Sequence, residues 1–155
     1  TLFYAKYLYD NGIVDEVKKA KNQKEAFLAL KNFCGIGDFL GYQMWVDMTY
    51  IKEFPFSENE FTVAGPGCKM GLDFLFVDKA GLSYEELLFW MRDNIDEEFK
   101  RRGFKWNPKK LMVDLPENER YMNLMSLENC FCEFSKYCRT LEGTGKPRKR
   151  YPGQK

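Results

Sequence analysis

Apolar residues recur along this chain at spacings of three and four, and that pattern predicts a helical protein. Residues 1–10 read as a first helix, closed by Asn11-Gly12. Residues 14–21 are crowded with charge and read as a polar stretch. Asn22 then caps a helix, with Glu25 at capping-box spacing and Ala26, Phe27, Leu30 and Phe33 along one face. Gly35-Ile36-Gly37 breaks this helix, and the next is expected from Asp38 to about Tyr50. A loop follows over residues 55–59. Gly65-Pro66-Gly67 is expected as a second sharp turn, leading into a short helix that ends near Phe76. Ser83 and Glu86 form another capping box, opening a long helix with Leu87, Leu88, Met91, Ile95 and Phe99 inward and Gly103 at its end. Between Trp106 and Leu115 the chain reads as a connection in which Leu111-Met112-Val113 is expected as a short strand. Ser126 is expected to cap the last helix, which carries Leu127, Cys130, Phe131, Phe134 and Cys138 to the core and stops at Gly143. The expected organisation is one helical domain over residues 1–142, followed by a basic tail over residues 143–155.

Composition sharpens this picture without changing it. With 155 residues, 45% of them apolar and 17% aromatic, the chain can bury a real core. No apolar run approaches the roughly 20 residues of a membrane span. Thr1-Leu2-Phe3-Tyr4 lacks the basic region of a signal peptide, so a soluble, cytoplasmic protein is expected. The start without Met suggests a processed piece or a segment of something longer. The 5 cysteines include no C-x-x-C pair and the chain has no histidine, so reduced thiols are expected and neither a metal site nor a cofactor. Any proton transfer falls to Asp, Glu, Lys, Tyr or Cys. The net charge of +1 is unevenly spread: Lys100 to Lys110 and residues 143–155 each contain a basic run without an acid. Two such runs beside glycine turns point to a polyanionic partner.

The sharpest local feature is Phe33-Cys34-Gly35-Ile36-Gly37-Asp38-Phe39-Leu40-Gly41. Helix, glycine turn and helix in that order form the pattern of a helix-hairpin-helix, in which Gly35 and Gly37 bring backbone N–H groups to a DNA phosphate. An ordinary tight turn between antiparallel helices fits the same residues. Gly65-Pro66-Gly67-Cys68-Lys69-Met70-Gly71 repeats the glycine spacing and adds the charge of Lys69. Neither segment is a dinucleotide fingerprint, and in Gly143-Thr144-Gly145-Lys146 the following Pro147 replaces the hydroxyl that a phosphate-binding loop needs for magnesium. A self-contained P-loop kinase is thereby excluded. Gln43 and Asp47 lie one helical turn apart, near Trp45 and Tyr50, and read as a base-recognition or proton-transfer pair, as an internal hydrogen-bonded pair, or as a solvent-facing Asp47 near a helix end. The last helix offers Glu128, Asn129, Glu133, Lys136, Tyr137 and Arg139, and the arm after it carries Lys146, Arg148 and Arg150, suited to phosphate contacts along a groove.

Three segments together carry a family resemblance: Cys34 to Asp47, Ala64 to Leu72, and Leu127 to Tyr137 closing with Gly145-Lys146-Pro147-Arg148 and Tyr151. Their order resembles the helical family that hypermodifies thymine in bacteriophage DNA. That family includes α-glutamyl/putrescinyl-thymine pyrophosphorylases and the helical domain of 5-hydroxymethyl-deoxyuridine DNA kinases, and it is related to helix-hairpin-helix DNA glycosylases. The resemblance implies a mainly α, glycosylase-like fold in a phage-infected or bacterial cell, acting on DNA with an extruded modified base. It implies displacement of pyrophosphate from an activated thymine methyl by an amine or amino acid. Asp47 or Glu133 would then serve as the base, beside Gln43. Lys69, Lys136, Arg139 and the turns at Gly35, Gly37, Gly65 and Gly67 would hold phosphates, and Trp45 or Tyr137 would flank the base. The chain departs from a glycosylase in having only Glu58 and Glu60 where a catalytic Asp is expected after the hairpin. The alternative is a non-catalytic DNA-binding module that partners a 5-hydroxymethyl-deoxyuridine DNA kinase.

Overall fold

A computed structural model describes residues 2–54, 56–105, 107 and 122–146. Seven helices and no strand occur among them: α1 (Leu2–Asp10), α2 (Ile13–Lys18), α3 (Gln23–Lys31), α4 (Asp38–Thr49), α5 (Pro66–Leu75), α6 (Tyr84–Arg101) and α7 (Leu124–Leu141). The expected strand at Leu111–Val113, and Arg148 and Arg150 of the tail, lie outside the described residues.

Local chemistry explains most helix starts. The Asn22 side chain accepts from the Glu25 N–H at 2.9 Å, while the Glu25 carboxylate accepts from the Lys21 N–H, one residue before the cap. Ser83 and Glu86 close a full capping box at the start of α6. Pro66 occupies the first turn of α5, where its missing N–H costs nothing.

Two expectations need correction. The charged stretch at 14–21 contains helix α2, because Ile13 and Val17 sit one turn apart and both are buried, leaving Asp15, Glu16 and Lys18 to solvent. The last helix starts at Leu124, capped by Asn123, whose side chain accepts from the Ser126 N–H at 2.7 Å; Ser126 is inside the helix. Its buried face is therefore Leu124, Leu127, Glu128, Phe131 and Ser135, whereas Cys130 and Phe134 are exposed.

The apolar residues form two clusters. One gathers Leu8, Val17, Phe27, Leu30, Tyr42 and Trp45 from α1 to α4, and it also takes in Met125 of α7. The other joins Cys68, Leu72, Leu88, Leu124 and Phe131 from α5, α6 and α7. Helix α7 thus contributes to both. The segment between α4 and α5 stitches them further: Tyr42 and Thr62 share a buried hydrogen bond of 3.1 Å. Arg92 of α6 donates to the Asn59 carbonyl at 2.7 Å, and the Leu124 N–H donates to the Asn59 side chain at 3.1 Å.

Helices α5 and α7 approach as closely as glycine permits. A Cβ built on Gly67 would lie 2.6 Å from Cys132 Sγ, and one on Gly71 would lie 2.2 Å from the Phe131 carbonyl oxygen. At Gly71 no side chain fits without moving a helix, whereas at Gly67 the Cys132 side chain would have to turn away.

Candidate nucleic-acid interface

The first glycine segment forms a turn between α3 and α4, as its sequence suggests, but only one of its two glycines takes the left-handed backbone. Gly35 adopts a left-handed backbone with φ of 87°, and an added Cβ would sit 2.9 Å from the Tyr4 hydroxyl. That hydroxyl donates to the Cys34 carbonyl and pins α1 against the turn. Ile36 is buried beneath Gly41, whose Cβ would meet it at 3.3 Å. Gly37 caps α4 in an extended conformation, and a Cβ there would meet nothing within 4 Å. The start of α4 is consequently open to solvent. Asp38 lies in its first turn, complementing the helix dipole, and the hydrogen bond and charge of Lys31 hold its carboxyl below the usual range.

The second glycine segment is built differently. Gly67 lies inside α5 rather than in a sharp turn, so that expectation is corrected. Its close contact with Cys132 shows why a glycine stands there. The N–H of Gly65, the helix cap, donates to Glu128 Oε1 at 3.1 Å, and the N–H of Ala64 donates to Glu85 Oε1 at 2.9 Å. Two carboxylates thus occupy donors that a phosphate would use. Lys69 is exposed in the second half of that first turn, with its ammonium 5.7 Å from the Tyr84 ring centre. The two glycine segments nevertheless meet, because the Phe39 ring lies 3.3 Å from a Cβ built on Gly65.

Glu128 stands first among the residues the last helix offers, but sequence reasoning assigned it no role. It is 3% exposed, and burial pushes its carboxyl above the usual range, partly offset by the hydrogen bond from Gly65. The signal was present: Leu124, Leu127, Phe131 and Glu128 share one helical face, so a carboxylate was due at a core position.

No hydrogen bond or ion pair joins the proposed catalytic groups to one another. Asp47 is exposed near the end of α4 and Gln43 is half-buried, and neither side chain hydrogen-bonds the other, so Asp47 faces solvent rather than forming an internal pair. Glu133 is exposed on α7 and ion-paired with Lys136. No hydrogen bond or ion pair joins Asp47 to Glu133. A groove of about 690 Å³ between α6 and α7 is lined by Phe76, Trp90, Ile95, Phe99, Phe131 and Phe134, and contains none of the three. Trp45 is 1% exposed, packed 5.4 Å from Phe56, and so is unavailable to flank a base; Tyr137 is exposed. Arg139 and Lys146 are exposed at the end of α7 and beyond it. All five thiols are free. Among the described residues no group of acids and cysteines is arranged to hold a metal, and no helix is long and apolar enough to cross a membrane.

An all-α domain with an open glycine turn and scattered surface cations is the class that fold and surface define. The family model for the helical domain of 5-hmdU DNA kinases matches residues 1–146, and the chain belongs to that family. It is similar to a 5-hmdU DNA kinase of Bacillus phage SP10, being 26% identical over 108 residues that make up 66% of this chain and 16% of the relative. The chain therefore corresponds to a small part of that relative's length. No solved structure matches it.

Proposed function

We propose that this domain engages DNA on behalf of phage thymine hypermodification, as the non-catalytic helical module of a 5-hmdU DNA kinase-type enzyme. Membership of the kinase helical-domain family carries the reading. The kinase chemistry named in the relative lies in a protein of which this chain covers 16%, and no phosphate-binding loop occurs here. The α3–turn–α4 unit acts as a helix-hairpin-helix-like phosphate contact: Gly35 sets the turn, and Gly37 leaves the backbone open to close approach. Lys69 supplies charge beside it, and Lys136, Arg139, Lys146, Arg148 and Arg150 would add phosphate contacts along the rest of the chain. The N–H groups of Ala64 and Gly65 donate to Glu85 and Glu128 of the protein itself instead.

The transferase reading, in which an amine displaces pyrophosphate, needs a base, a leaving-group clamp and a closed site together. Neither Asp47 nor Glu133 lines the apolar groove, and that favours the binding module. Fluorescence anisotropy with duplexes containing thymine or 5-hmdU, over a salt series, tests the assignment. Binding that weakens steeply with salt is expected, because counterion release dominates phosphate contacts. Absence of binding at low salt would overturn it. Nucleoside mass spectrometry after incubation with pyrophosphorylated 5-hmdU DNA and amines checks the alternative, and amine-linked thymine would restore the transferase.

A further inference from the structure

The two glycine segments touch, and the way the second is held bears on the first. In α4 the first intrahelical bond runs from the Gly41 N–H to the Gly37 carbonyl at 2.8 Å, and no side chain caps the helix. The N–H groups of exposed Asp38, Phe39 and Leu40 are therefore left to an outside acceptor. Ala64 and Gly65 of the second segment are buried instead, and carboxylates claim their N–H groups: Glu85 of α6 at 2.9 Å and Glu128 of α7 at 3.1 Å. A Cβ built on Gly65 would meet both Glu128 Oε1, at 3.0 Å, and the Phe39 ring, at 3.3 Å. The Gly65 carbonyl accepts from the Lys69 N–H at 2.9 Å, so the same residue starts α5 and sets the place of Lys69. The charge of Lys69 in turn helps to hold the Asp38 carboxyl low.

We infer that Glu128, with Glu85 as its counterpart on α6, positions the phosphate contact at the start of α4. The inference rests on the DNA-engaging reading above and adds to it the residues that hold the contact in place. The line of contacts is short. Glu128 fixes the Gly65 N–H, Gly65 backs the Phe39 ring, and Phe39 stands in the first turn of α4. The same hydrogen bond fixes the cap of α5 and, through it, Lys69. Backbone donors need such support, because a hydrogen bond weakens steeply as its angle closes. Helix α4 has no side-chain cap of its own to define that first turn. The second glycine segment thus serves DNA binding without touching DNA. Glycine is called for at residue 65 because a side chain there would crowd the carboxylate and the ring together.

The test titrates the full chain, labelled with 15N, with a duplex carrying 5-hmdU, and measures affinity in parallel by anisotropy. In wild type the amide signals of Asp38, Phe39 and Leu40 are expected to shift on binding. Glu128→Ala removes the acceptor and should weaken affinity roughly 10-fold, the weight of a hydrogen bond to a charged group, with those shifts reduced. Glu128→Gln keeps an acceptor for the Gly65 N–H and should bind as wild type does. Should Glu128→Ala fail to fold, Gly65→Ala replaces it: its methyl presses on Phe39 and Glu128 and should weaken binding in the same direction. Val17→Ala opens a cavity in α2, which carries none of these groups, and should leave affinity unchanged although it lowers stability. Circular dichroism verifies that each variant is folded. Unchanged affinity in folded Glu128→Ala or Gly65→Ala would overturn the inference and leave the DNA reading standing. So would a loss in Glu128→Gln equal to that in Glu128→Ala, or an equal loss in Val17→Ala, since binding would then follow the charge or the overall stability. Failure of wild type to bind any duplex would sink both.

Discussion

Replacing Glu128 by Gln should stabilise the protein at neutral pH, although the residue is buried and hydrogen-bonded. The amide carbonyl can accept from the Gly65 N–H as the carboxylate does at 3.1 Å, and volume is nearly unchanged. What disappears is a charge whose burial lifts the folded-state carboxyl above its unfolded value. The sign follows from proton linkage: a raised folded pKa favours the folded state below the unfolded pKa, near 4.3. That contribution is lost as pH rises through the folded pKa. Each unit of separation between the two values amounts to about 1.4 kcal/mol. Urea denaturation across pH 4 to 8 is the assay. Glu128→Gln should equal wild type in the acid range and exceed it at pH 7, with a flatter pH profile. Glu128→Ala should instead lose about 1–3 kcal/mol at all pH values, since the Gly65 N–H is left buried without an acceptor. If Gln is as destabilising as Ala at pH 7, the charge itself supports the fold and the reasoning fails.

Further outcomes test separate parts of the structure. Gly71→Ala forces a methyl to within 2.2 Å of the Phe131 carbonyl and should cost about 1–3 kcal/mol or more, visible as a fall in Tm; an unchanged Tm would mean α5 and α7 are not so close. Gly37→Ala should fold with normal stability, because its backbone is extended and open, and should weaken DNA binding through the side chain alone; anisotropy with a circular dichroism control separates the two. Lys69→Ala combined with Arg139→Ala should reduce the slope of log affinity against log salt by roughly 2 if both ammonium and guanidinium meet phosphates; an unchanged slope would remove them from the interface.

Sequence reading succeeded where the determining chemistry is local. The caps at Asn22 and Ser83 and the left-handed Gly35 depend on residues within one turn of each other, and all three were legible. It failed where the determinant is a distant neighbour. Gly67 read as a turn residue, yet its neighbour is the Cys132 side chain, and the reason for Gly71 is the backbone of α7 at Phe131; no local window contains either partner. Helix α2 was hidden because its burial rests on two residues, Ile13 and Val17, amid charges that periodicity weights equally. Glu128 was hidden by its type: a carboxylate reads as a surface residue until its acceptor role for Gly65 is known. At the candidate site, Gln43 and Asp47 were correctly placed on one face, but their distance from Glu133 depends on how α4 and α7 cross.

Because α7 supplies Met125 to one apolar cluster and Leu124, Leu127 and Phe131 to the other, neither is closed until the last helix is made. Thr49 and Met125, in contact at 3.9 Å, are 76 positions apart. Closing either cluster fully therefore waits on contacts between segments far apart in sequence, the kind that form late in folding. Truncation before α7 should strip Leu124, Leu127 and Phe131 from the second cluster and Met125 from the first, so one helix holds a share in the stability of both.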